Sequence, residues 1–339
     1  YLDAEALGGL DTAALTNAID QIVTEQPSEF SVTRATAQDA DFGRAGLPED
    51  LPTANGWAVA TEALKLTLKG EAAEPATIRF ENVGSHKAAH IILKSETFSR
   101  GVFVLDHTGS GSLSQTVEIL VGDESEITVV SLQDWNEDAI HTSAQFARLG
   151  RNAKLKHIVV SLGGKTVRVT PSAEFTAPGG EVELLGTYFA DAGQHLEHRS
   201  YVDHAVANCK SRVTYKGALQ GNGARTVWVG DVLIRKAAEG TDTYELNRNL
   251  LLTDGARADS VPNLEIETGE IEGAGHASAS GRFDDEQLFY LQSRGLSELD
   301  AKRLVVRGFL NEVIQQIGIE TLETRLTASI ETELARSNN

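Results

Sequence analysis

The chain has 339 residues, enough to bury a large core in one to three domains. With 41% hydrophobic and 23% charged residues it has the make-up of an ordinary globular protein, and no apolar run approaches the roughly 20 residues of a membrane-spanning helix. A net charge of −19 repels a phosphate backbone, which argues against duplex nucleic acid as a partner.

No secretory signal pattern opens the chain. It begins at Tyr1 and contains no methionine, so a stretch of the native N-terminus is expected to precede it. Cys209 is the single cysteine, which leaves no internal disulfide and points to a reducing compartment, the cytoplasm.

The first segment, Leu7 to Gln26, predicts a helix. Leu10, Leu15, Ile19 and Ile22 fall on one stripe, and Asp11 is a suitable N-cap. From Pro27 to Asn55 the period fades among Gly, Pro and acidic residues, which reads as an irregular or mobile connector. Residues 1–60 therefore form an N-terminal helical and irregular segment.

From about Ala63 to Thr268 the period becomes two. Thr77–Phe80, Val117–Val121, Ile127–Val130, Ile158–Leu162, Val167–Thr170, Val182–Leu185 and Val227–Gly230 are short β-rich runs separated by Gly, Asn or Asp. A sandwich or barrel would use tight Asn-Gly or Asp-Gly hairpins, of which Asn222-Gly223 and Asp254-Gly255 are examples, too few for a dozen strands. A β-solenoid needs no such turns. The periodicity alone leaves both architectures open for the core, residues 61–283.

Helical period returns near Asp285, in a C-terminal helical domain spanning 284–339. Ser297 and Asp300 are spaced as a capping box with Asp in place of Glu. Leu304, Gly308, Leu310, Val313, Ile314 and Ile317 share a face, and Gly318 is a suitable stop. A second helix is expected from about Glu320 to Ala335, with Leu322, Leu326, Ile330 and Leu334 on one stripe. Such helices could cover the open end of a solenoid, whose last coil otherwise exposes strand edges.

Several side chains invite a chemical reading. His195, His198 and His204 suggest a metal site, but on a strand i and i+3 point to opposite faces, so satisfied wall histidines are the better account. Cys209 beside Lys210 could be an activated thiol, although a free cysteine is more often a small buried hydrophobe. The unbroken Leu250–Leu252 suggests a strand covered on both faces, with a dimer contact as one expected cover. Gly163–Thr166 resembles only the end of a phosphate-binding loop, with Val159 where a glycine is needed, so the chain is not expected to be an ATPase. His276 stands among Gly273, Ala274, Gly275 and Ala277; small neighbours leave an imidazole open to a metal, though a histidine in such a turn is more often merely satisfied.

Three runs carry a more specific signal: Asp203 to Gly217, Asn247 to His276, and Asp284 to Ile317. In this order and spacing they resemble the core domain of the SufB/SufD family of iron–sulfur cluster assembly scaffolds, over roughly Gly180 to Ile317. The resemblance implies a mainly β fold, a right-handed parallel β-helix with small helical segments at both ends. It implies a scaffold of the SUF system, not an enzyme, that pairs with a SufB-like subunit and docks a SufC-like ABC ATPase through its C-terminal helices. Tyr290, Arg294, Arg303, Arg307 and Phe309 are the expected docking residues. ATP-driven closure of the ATPases would open the interface around His276.

The family's His-Gly-Ala-Thr-like run matches His276-Ala277-Ser278-Ala279, and Gly275 stands where the SufB branch carries a cysteine. The missing thiol implies the SufD branch, with His276 facing the partner's cysteine across the interface and contributing to a transient iron–sulfur cluster. One cysteine cannot hold a cluster alone, since most take four thiolates. No permanently bound cofactor is expected. Asp203, His204, Cys209, Tyr215 and Asn249 match motif positions with an expected structural role. The isolated chain is also expected to be capable of homodimerising. The rival readings are a glycan-acting or glycan-binding β-solenoid, which needs paired carboxylates on one strand face, and a purely structural homodimer.

Overall fold

Strands of about ten residues recur through the middle of the chain, each ended by a tight turn. The computed structural model describes residues 1–336, so residues 337–339 of the expected C-terminal domain lie outside the described residues. Before the repeats come β1 (Thr16–Asn17), β2 (Val23–Glu25), β3 (Phe30–Thr36) and the helix α1 (Leu51–Val59). The repeats are β4 (Glu62–Leu68), β5 (Ala76–Glu81), β6 (Gly84–Ser95), β7 (Arg100–Gly109), β8 (Gly111–Val121), β9 (Glu126–Trp135), β10 (Ile140–Leu149) and β11 (Lys154–Ser161). They continue as β12 (Thr166–Phe175), β13 (Glu181–Ala190), β14 (His195–His204), β15 (Lys210–Leu219), β16 (Arg225–Ile234), β17 (Asp242–Leu251), β18 (Arg257–Ile266) and β19 (Gly273–Gly281). The tail holds α2 (Asp285–Ser293), α3 (Glu298–Ile314) and α4 (Glu320–Arg336).

Each repeat strand pairs in parallel with the strand two places on, so even-numbered strands form one sheet and odd-numbered strands the other. The chain thus climbs a β-solenoid of eight two-strand coils, from β4–β5 to β18–β19. The few Asn-Gly turns fit this winding, because no hairpin joins consecutive strands. Alternation buries every second side chain in the lumen. Leu66, Ile78, Phe80, Phe103, Leu105, Val129, Phe175 and Trp228 belong to this inner cluster, each contributing about 1.5–3 kcal/mol by leaving water.

The two ends differ. At the first coil, β3 runs antiparallel to β4 and β2 antiparallel to β5, so both edges are paired. At the last coil, β18 and β19 are the terminal strands of their sheets.

The expected helix over Leu7 to Gln26 does not form. Gly8 and Gly9 both take left-handed φ, +56° and +84°, Thr16–Asn17 pair with β6, and only a short 3-10 turn at Ile19–Gln21 is helical. Leu10 and Leu15 are buried as the stripe required, but against Ala88 on the outer face of the even sheet. Tertiary pairing overrides the local preference here. Asp11 caps nothing.

The segment read as an irregular connector contains β3 and α1. Glu118, fully buried, accepts from the backbone N–H of Gly43 and of Ala45 at 2.7 Å each and from His90 at 2.8 Å. Asp41 bridges Lys65 at 2.6 Å and Lys94 at 2.7 Å. These charge-assisted bonds fasten residues 41–45 to the outer face of the even sheet.

The C-terminal helices form as expected, with Ser297 accepting from the Asp300 N–H at 3.1 Å and Gly318 at φ +73° after the last turn of α3. Their position is not the expected one. Leu310, Val313, Ile314, Leu326 and Ile330 pack on outward-facing Val104, Val130, Leu132, Ile158, Val160 and Phe189 of the odd sheet. They cover a face, not the open end, because that face carries a contiguous apolar cluster that must be covered. Leu250 and Leu252 join this outer cluster while Leu251 packs inward, so the unbroken leucine run is covered on both faces without a second copy.

One ion pair pins α4 to the wall. Arg325 donates two hydrogen bonds to Asp106, at 2.8 and 2.7 Å, with Asp134 3.6 Å away. Burial works to raise the Asp106 carboxyl, but the Arg325 hydrogen bonds and charge prevail and hold it below the usual range. Arg325→Ala would strand a carboxylate that is 8% exposed, and the guanidinium itself is 35% exposed. The expected loss is about 1–3 kcal/mol, below the figure for a fully buried pair. A urea midpoint equal to that of the wild type would refute this anchor.

Candidate functional site

Parallel register carries the lumen pattern to the open end. On β17 the inward residues are Thr243, Glu245, Asn247 and Asn249, all buried. Their partners on β19 are Ala274, His276, Ser278 and Ser280. Ser280 bonds to the buried Asn249 amide at 3.2 Å, which confirms that this row of β19 faces the lumen. His276 therefore sits on the lumen-side row of a terminal strand and is exposed. No protein hydrogen bond or ion pair engages its imidazole among the described residues.

The mouth beneath it is polar. Tyr188 donates to Asn249 Oδ1 at 2.8 Å, Asn249 donates to Asn247 Oδ1 at 2.8 Å, and Ser260 donates to Asn247 Oδ1 at 2.5 Å. Glu245 is different: it is 1% exposed, and neither carboxylate oxygen has a partner among the described residues. Burial first, and then the Asp231 charge, push its carboxyl up to about 8. The side chain fits because Gly230 opposite has no Cβ; one there would lie 2.6 Å from Glu245 Oε1 and would overlap the Trp228 indole. Sequence reading missed Glu245. Its inward place between Thr243 and Asn247 was legible from the alternation, but its lack of a partner needs the three-dimensional neighbours.

The other motif residues lie deeper. His204 is buried, bonds to Ser211 at 2.8 Å and rests against Phe175. Burial holds its imidazole down at about 4, so it is neutral. Cys209 is 1% exposed in the inner cluster, with Sγ 3.5 Å from the Ala207 carbonyl. Burial pushes its thiol up, and Lys210 reaches Asp242 rather than the sulfur. Tyr215 and Asn249 are buried in the lumen wall. A Cβ on Gly217, which closes the Tyr215-Lys216-Gly217 run, would overlap the Tyr188 ring. Asp203 faces outward and accepts from Arg235 at 2.8 and 2.7 Å.

His195, His198 and His204 do not converge. His195 faces outward to Glu197 at 3.1 Å, His198 is buried and stacked on Tyr188, and His204 is held by Ser211. Among the described residues, no group of three or more His, Cys, Asp or Glu side chains forms a metal cage.

On the helices, Tyr290 is 57% exposed and Arg294 lies over its ring at 5.2 Å. Arg307 pairs with Glu331 at 2.8 Å, and Arg303 is half-buried. Phe309 packs on the outer cluster with the Lys216 ammonium over its ring, and Lys216 also pairs with Glu312. Phe289, which the sequence reading passed over, is 73% exposed. The structure brings Tyr290 and Arg294 together at the surface and ties Arg307 and Phe309 into the helical layer.

An outward groove of about 700 Å³ lies on the even sheet between residues 45–50 and β10, β12, β14 and β16. Glu174, Asp203 and Asp50 in it are each held by an arginine, Arg148, Arg235 and Arg168. Acids neutralised in this way make poor partners for glycan hydrolysis.

Residues 78–309 match the family model described as SUF system FeS cluster assembly, SufBD core domain. An iron-sulfur cluster assembly SufBD family protein of Mycobacterium bovis is 50% identical over 333 residues, covering 95% of this chain and 84% of the relative. A protein of the same family from Mycobacterium leprae is 48% identical over 334 residues, covering 96% and 85%. A second family protein from Mycobacterium leprae is 27% identical over 246 residues, covering 72% of this chain and 28% of that relative.

Proposed function

The chain belongs to the SufB/SufD family of iron–sulfur cluster assembly proteins, and from that premise we propose that it is the SufD-like member of a scaffold pair. It joins a SufB-like subunit at the open end of the solenoid, docks a SufC-like ABC ATPase on its C-terminal helices, and performs no catalysis itself. The observation that carries this reading is His276, unengaged on a terminal strand, in a chain whose one thiol is locked in the core. Such a chain can offer an imidazole to a nascent cluster but needs a partner for the sulfur ligands. Iron and sulfide are then cargo at the interface. The presence of two dissimilar family proteins in Mycobacterium leprae supports an unlike pair.

Exposed Phe289, Tyr290, Leu296 and Leu299 on and beside α2 and α3 support the docking role, since an apolar patch rimmed by charge suits a protein partner. Among the described residues no helix is long and apolar enough to cross a membrane. The cytoplasm is the setting proposed. The free edges of β18 and β19 also suit a second copy of this chain when the partner is absent.

A pull-down from native lysate with this chain as bait tests the reading. Recovery of an ABC-type ATPase and a larger, cysteine-bearing relative is the expected result. Recovery of neither, from a lysate that contains both, refutes the scaffold pair and leaves the homodimer.

A further inference from the structure

Glu245 is the one carboxylate, among the buried side chains described, with both oxygens unpartnered. Buried charges in proteins are paired, coordinate a metal, or are neutralised by a proton. Among the described residues no Lys or Arg pairs with it, and the one charge that acts on it, Asp231, has the same sign. The Trp228 indole N–H and the Tyr215 hydroxyl lie nearby without partners of their own, so donors exist in the lumen but none is aimed at the carboxylate. Unaided, the group is left with a proton.

One coil further out, in direct register, stands His276. Register neighbours in a parallel sheet lie about 4.8 Å apart, with side chains on the same face. That spacing lets a carboxylate oxygen and an imidazole nitrogen reach one ion at roughly 2.0–2.2 Å each. Imidazole with carboxylate is a donor set for divalent iron, manganese, cobalt or zinc rather than for calcium or magnesium. His276 is exposed on the last strand of its sheet while the Glu245 carboxylate lies buried, so a cation would reach the pair from the His276 side.

We propose that Glu245 and His276 form a two-point site for a divalent transition-metal cation at the mouth of the solenoid, completed by ligands from the subunit that faces it. The proposal rests on the reading above, which places a partner at that mouth, and it adds a second residue of this chain to the cargo site. A two-ligand foothold binds weakly by itself, which suits a site that must release what it collects.

The test uses Co2+ alone as probe, followed by its visible ligand-field absorption, on the full chain and on the complex recovered with its partner. Wild type should bind one Co2+ per chain. Glu245→Gln should weaken that binding at least ~10-fold while retaining the circular dichroism and the partner, because one of two ligands is lost without a change of shape. His276→Ala should weaken it at least as much. Glu245→Gln binding as tightly as wild type, with His276→Ala defective, overturns the role of Glu245 and leaves His276 standing. Equal binding by wild type and both variants, or by none of the three, overturns the site altogether. The pull-down is unaffected by either result, so failure of the scaffold reading would register separately.

Discussion

Replacing His276 by alanine is expected to abolish iron–sulfur cluster assembly in cells while leaving the protein folded. The side chain is exposed and holds no hydrogen bond among the described residues, so its removal should change stability by no more than about 0.5 kcal/mol. For a chain of this size that is a shift in melting temperature of about 1–2 °C. Loss of function with an unmoved melting curve would separate ligation from folding. Ser278→Ala is the matched control: it lies on the same lumen-side row, two residues on and also exposed, and offers no nitrogen ligand. The measurement is complementation of a strain lacking the chromosomal copy, read as activity of an iron–sulfur enzyme. Normal complementation by His276→Ala would remove His276 from the mechanism.

The same residue shows what the sequence made legible. Its small neighbours and its motif identified it, and β-periodicity with few hairpin signals, joined to the family resemblance, identified the solenoid. Two errors lie in the N-terminal segment. The apolar stripe of Leu10, Leu15 and Ile19 was real, but the Gly8-Gly9 pair and the demand of the β6 edge made it a buried loop. The start of α1 was written as Asp50, Leu51 and Pro52, an N-cap followed by proline in the first turn, and Asp50 does accept from the Thr53 N–H at 3.1 Å. That signal was passed over because the surrounding acidic, glycine-rich residues carry no helical stripe.

The position of the tail was also legible in part. Ile158–Val160 is apolar without a break, as Leu250–Leu252 is, and strands of that kind are covered on both faces. Applied to every strand, the argument would have placed α3 and α4 on the wall and left the mouth free. A mouth left free is what makes His276 available, so the error over the tail concealed the best structural support for the site. The orphaned state of Glu245 could not have been read at all, since it depends on what β15, β16 and β18 do not supply.

Glu245→Gln is expected to stabilise the protein at neutral pH, and the gain should depend on pH. The carboxyl stands at about 8 in the folded state against an ordinary value of 4.5, with burial as the main cause. Between those values the unfolded chain has released the proton and the folded chain still holds it. The folded state thus binds more protons, and wild-type stability falls as pH rises through that window. Glutamine has nothing to release. The difference between variant and wild type should be near zero below pH 4.5 and reach roughly 3 kcal/mol at pH 7, from 1.36 kcal/mol per unit. Urea unfolding of both proteins across this range measures it. A gap that stays flat with pH would mean that the carboxylate has a partner, and the metal proposal would lose its premise. A gap that opens as described and narrows when Co2+ is added would show a cation stabilising only the folded wild type, as mass action requires. A residue that weakens its own fold at neutral pH, beside a satisfied network of Tyr188, Asn247, Asn249 and Ser260, is better explained by what it binds than by what it supports.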